Sequence, residues 1–194
     1  MYLNDHARIH RSSVAVAEAI NLGDFALRGV SDEMMRTRAP GHVSIAWFMW
    51  HITRCEDIAV NTMLRRDAQV LDDDWCRRLG VSSRIMGTGM TDEETEGLSS
   101  SVDLAALVDY RDAVGLRTRE YVQSLDFDSL ELLAEAPSAT AAAAGAMGAN
   151  GAWVGSFWDG RTRGWFLSWV VLGHSYQHLA EIAHVATVLG RPGR

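Results

Sequence analysis

"SIAWFMWHITRCEDIAVNTMLRR", Ser44 to Arg66, is apolar over more than half of its circumference when wound at about 3.6 residues per turn. The stretch therefore predicts a largely buried helix. It begins near His42 or Val43, directly after the Pro40-Gly41 break. Around it the chain has only three prolines and almost no apolar alternation bounded by turns, so helices are expected throughout.

A first helix is expected over Leu3 to Leu27, with Val14, Ala17, Ile20 and Leu27 as its spaced apolar positions. "GVSDEMMRTRAPG" then reads as a loop. Asp67 to Ser101 reads as a long connection with at most one short helix, because acidic and Gly/Ser-rich clusters interrupt any period. A third helix starts where Ser100 or Ser101 can cap it and Asp103 meets its positive end, and it runs to about Leu125. "DFDSLELLAEA" gives a short helical turn, and Pro137 to Gly160 is a small-residue segment too rich in glycine for a regular helix. The last helix runs from about Thr162 to Leu189, closed by Gly190 and Pro192. The expected architecture is all-α: a four-helix bundle with long crossover loops, a single domain over residues 1–194.

The 194 residues carry 25 acidic and 18 basic side chains, a formal charge of −7, without a basic patch to gather phosphates, so nucleic acid is not an expected partner. No apolar segment reaches the 18 or so residues of a membrane span, and "GWFLSWVVLG" is too short. The amino end lacks a signal core, and Cys55 and Cys76 make no disulfide framework, which together read as a reduced, cytoplasmic protein.

His51 stands between Trp47, Phe48, Met49, Trp50 and Ile52, where an imidazole without a partner is costly. A second apolar helix carries "GHSYQHLAEIAHVATVLG", Gly173 to Gly190, in which His174 and His178 lie four residues apart and share a face with Glu181. Three imidazoles with an open position make a centre suited to zinc, and also to nickel, iron or manganese. Glu181 can serve as a fourth ligand, as an acceptor for an imidazole N–H, or as a general base.

The remaining candidates receive plainer readings. Cys55 is core filling, and Glu56 and Asp57 pair with Arg54 or another arginine. His6 and His10 sit in the polar frame "NDHARIHRSS" and are expected on the solvated surface, while His42 and His184 are out of phase with the proposed ligands. The aromatic run from Trp153 to Trp169 reads mainly as packing. Trp153, Phe157 and Trp158 are set apart, because their glycine-rich segment can fold over a pocket as a lid and contact a bound cofactor.

At "SIAWFMWHITRCEDIAVN" and "HSYQHLAEI" the chain resembles the DinB/YfiT-like superfamily of metal-dependent four-helix bundles. The first matches its Trp-rich helix with one histidine and a following acidic pair, the second its late His-x-x-x-His. Carried over by position, the resemblance puts the divalent-metal triad on His51, His174 and His178. Where the family commonly has Gly-Gln after the last histidine, this chain has Ala180-Glu181. The resemblance also implies a low-molecular-weight thiol, such as mycothiol or bacillithiol, activated by the metal toward a small electrophile in a transferase or isomerase reaction. A metal-dependent hydrolase and a non-catalytic metal or ligand sensor are the alternatives, and a homodimer formed through one helix face fits all three.

Overall fold

The computed structural model describes residues 1–191; the expected stop at Pro192 lies outside the described residues. The chain is all-α, with no strand among the described residues and one isolated β-bridge between Leu133 and Thr162. Its elements are α1 (Tyr2–Ile9), α2 (Leu22–Leu27), α3 (Asp32–Arg36), α4 (Ile45–Asp57), α5 (Asp73–Leu79), α6 (Asp92–Ser101), α7 (Leu104–Ser124), α8 (Pro137–Ala143), α9 (Gly155–Trp158), α10 (Arg163–Trp165) and α11 (His174–Val188). Wider π-helical turns extend α4 over Ile58–Leu64 and join α10 to α11 over Phe166–Gly173, so each forms one continuous rod.

The expected buried helix is α4. Ser44 caps α4 by accepting from Trp47 N (3.0 Å), and every residue from Ile45 to Asp57 except the half-buried Trp47 is buried. α4 packs against α3, α6, α7, α11 and the Phe166–Gly173 turns. One contiguous core extends from Ile9 to Ala186 around it.

The expected first rod, Leu3 to Leu27, is broken. Helix α1 ends at Ile9, and side chains of the following segment satisfy backbone groups that a continuing helix would use. Asn21 Nδ2 donates to the carbonyls of Ala7 (2.7 Å) and Ala15 (2.8 Å), and Ser12 N donates to the Asp24 carboxylate (2.9 Å). Val14 and Ala17 are buried as expected, but Ile20 faces outward.

Three more boundaries differ from expectation. The Gly29–Gly41 stretch contains α3, capped by Ser31, which accepts from Met34 N. The Asp67–Ser101 connection contains two helices, because its acidic clusters sit at helix starts: Asp72 caps α5, and Thr91 with Glu94 forms a reciprocal capping box on α6. Helix α7 begins later than expected, with Asp103 itself as the cap accepting from Ala106 N (2.8 Å). Ser100 and Ser101 belong to the helix before, their hydroxyls donating to the carbonyls of Glu96 and Gly97. From residue 137 to 160 the chain forms only short helical pieces, as its glycines imply.

Candidate metal centre

The two long apolar rods bring three imidazoles to one point. His51 lies midway along α4, while His174 opens α11 immediately after the π-helical turns, a feature common beside functional sites. His174 Nε2 lies 3.1 Å from His51 Nε2 and 2.9 Å from His178 Nε2.

What holds the outer nitrogens decides what the inner ones can do. His51 Nδ1 donates to the carbonyl oxygen of Met86 (2.7 Å), and His178 Nδ1 donates to the carboxylate of Glu181. Both acceptors fix the proton on Nδ1, so both inward Nε2 atoms present lone pairs. His174 Nε2 has at most one proton to give and two lone pairs to meet. A divalent cation among the three nitrogens would satisfy all of them, and the donor set therefore fits one. His174 differs in having its Nδ1 buried without a hydrogen-bond partner. Burial lowers the pKa of His51 to about 4 and of His174 to about 2, so both stay neutral and available as ligands at physiological pH.

The loop that carries Met86 is held by α4 itself. Arg54 Nη2 donates to Arg84 O (2.7 Å) and Trp50 Nε1 to Ile85 O (3.0 Å), next to the His51 contact. Arg54 also pairs with Asp57 (3.2 Å), whose carboxylate accepts from the Tyr110 hydroxyl, the Asn61 amide and the backbone of Val70 and Leu71. Gly87 follows Met86 with φ +103°, and a Cβ there would stand 3.1 Å from both His51 Nδ1 and the Trp47 ring. A side chain at Gly87 would press on the ligand it helps to seat.

Above the imidazoles opens a cavity of about 600 Å³. His51 and His174 form part of its wall, together with Met86–Met90 and with Trp153, Phe157 and Trp158. Trp47, Trp165 and Trp169 complete the aromatic lining. Trp47 stacks on His51, centroids 4.7 Å apart, and Trp158 is buried, while Trp153 and Phe157 are half exposed at the mouth. Sequence reasoning set apart the lid residues but treated Trp165 and Trp169 as packing, and it had no signal for the Met86 carbonyl beyond the length of that loop.

Glu181 stands behind His178, on the side away from the three Nε2 atoms, and it is not part of the pocket wall. Cys55 touches His51 on Nδ1 (3.7 Å), away from the point of convergence, and burial pushes its thiol up to about 12. His42 and His184 contact each other, rings 5.6 Å apart, and do not join the site.

His6 and His10 overturn their surface reading: both are fully buried, and with Glu56 they form a second group of three potential ligands. The reason is Glu56, which projects from α4 opposite α1 and accepts from His6 Nε2 (2.9 Å) and His10 Nε2 (3.1 Å). Here the inward nitrogens face a carboxylate and therefore carry protons, the reverse of the triad. Arg111 Nη1, 3.7 Å from Glu56, already supplies the positive charge. Burial raises the pKa of Glu56, but the two imidazoles more than offset it and hold the group well below the usual carboxylate range. This cluster reads as a charge-balanced polar core and not as a cation site.

No curated protein matches the chain. The sequence pattern of the DinB superfamily matches residues 18–182, a span that holds all three converging histidines and more than half of the chain, and the chain thus belongs to the DinB superfamily.

Proposed function

We propose that this protein is a divalent-metal-dependent enzyme that joins a low-molecular-weight thiol to a small electrophile, by transfer or isomerisation. The observation that carries the reading is the inward-facing set of imidazole lone pairs at the floor of an aromatic cavity large enough for two small reactants. His51, His174 and His178 would hold the metal, zinc or nickel by the chemistry of the donors.

A bound divalent cation would lower the pKa of a thiol far below its free value near 8.5, so that the thiolate exists at neutral pH. The chain's own residues do the rest. Met86 and Glu181 orient two of the three imidazoles; Trp153, Phe157 and Trp158 screen the reacting atoms from water and contact the bound thiol. The thiol's proton leaves to solvent and the sulfur pair forms a bond to the electrophilic carbon; in transfer the leaving group departs with the electrons of the broken bond, and in isomerisation the carbon–sulfur bond breaks again and returns the pair to sulfur. Glu181 acts as a positioning residue through His178.

The test is a scan of mycothiol, bacillithiol and glutathione with a chlorobimane acceptor, using metal-loaded protein and His51→Ala. Turnover with at least one thiol, lost in the variant, is expected. Ester or amide cleavage without any thiol turnover would replace this reading with the hydrolase.

A further inference from the structure

All 18 basic side chains of this protein are arginines, and none among the described residues lines the cavity. Among the described residues, the guanidinium groups of Arg38 and Arg161 touch lining residues from outside, and both are engaged. Arg38 pairs with Asp92 (3.2 Å), and Arg161 lies over the Trp165 ring (5.2 Å to its centroid) while its Nε donates to Phe157 O (3.1 Å). Among the described residues, the one charged side chain in the wall is Asp92, which is acidic and paired with Arg38. The remaining polar wall is Thr88, Thr95, Cys55, the imidazoles of His51 and His174, and the indole N–H groups of the tryptophans, of which that of Trp47 is buried without a hydrogen-bond partner.

We propose that this cavity selects ligands that are uncharged apart from the atom meeting the metal, with a flat apolar ring against the tryptophans, and rejects thiols and electrophiles that bear carboxylates. The inference rests on the metal reading for the cavity floor alone. A carboxylate placed against this wall gives up water and gains no free guanidinium, only scattered hydroxyl and indole donors, since the Arg38 charge is already matched by Asp92. A flat ring loses nothing comparable and buries its faces against Trp47, Trp158 and Trp165. Multiply anionic thiols such as glutathione fall in the rejected class.

The test compares benzyl mercaptan with 4-(mercaptomethyl)benzoic acid, which share a ring and a thiol and differ by one carboxylate. Binding is followed by tryptophan fluorescence, in zinc-loaded and in chelator-treated protein, with zinc content measured beside it. The neutral thiol should bind at least about tenfold more tightly, the cost of desolvating an unpaired carboxylate in a partly open site. Thr88→Arg should tighten binding of the acid and close that gap while the neutral thiol still binds, and Met90→Arg serves the same purpose should Thr88→Arg fail to fold. Equal affinities, a tighter acid or no saturable quenching by either thiol overturns the proposal. Zinc-loaded protein that retains no zinc yet keeps the preference would sink the metal reading and leave the selectivity standing. Zinc held without any preference would do the opposite.

Discussion

His178 differs from His51 in what holds its outer nitrogen, a carboxylate in one case and a backbone carbonyl in the other. A carboxylate raises the basicity of the imidazole it orients, so Glu181→Gln should weaken metal binding by about 10-fold to 100-fold while leaving the stoichiometry unchanged. Competition against a chelator of known affinity measures this, and an unchanged affinity would mean that Glu181 is only a surface acid. The convergence of His51, His174 and His178 was legible at this scale because each stands in an apolar helical frame, where an imidazole needs a partner. The four-residue spacing of His6 and His10 was misread. Their own frame is polar, and nothing in it shows that Glu56 and Arg111 come to meet them from other helices.

Among the elements, α7 records how closely α1 is packed. Gly115 sits inside that helix, where Gly→Ala ordinarily stabilises by about 1 kcal/mol. A Cβ at Gly115, however, would lie 2.6 Å from the His10 ring. Gly115→Ala should therefore destabilise, by about 1 to 3 kcal/mol in denaturant unfolding, as overpacked cores do. A gain in stability would show that α1 is not docked as described. Helices whose packing faces and start signals agree, α4 and the rod ending in α11, were readable in advance. The broken first rod was not, because the bonds that break it join Asn21 to Ala7 and Ser12 to Asp24, and side-chain competition of that kind leaves no period in the sequence. The acidic clusters at Asp72 and Thr91 were read as breakers when they are helix starts.

Across the whole molecule, buried histidines tie stability to pH. Burial lowers His10 to about 3 and His51 to about 4, against an ordinary value of 6.5. Between those limits the unfolded chain binds protons that the folded, metal-free chain refuses, so stability is full above about pH 6.5 and falls as the pH drops toward 4. Urea unfolding of chelator-treated protein at stepped pH should show that decline, and a flat profile from about pH 7 to 4.5 would contradict the burial of these rings. No helix among the described residues is long and apolar enough to cross a membrane; α4 packs against α7 and α11, and α11 against α2 and α4.

The most direct measurement is metal content per chain, in protein purified without a histidine tag, for the wild type beside His174→Ala and His10→Asn. The inward lone pairs of the triad predict about one equivalent of divalent metal in the wild type, loss of it in His174→Ala and retention in His10→Asn. Equal metal in the wild type and His174→Ala, or loss only in His10→Asn, would contradict the assignment of the centre to His51, His174 and His178.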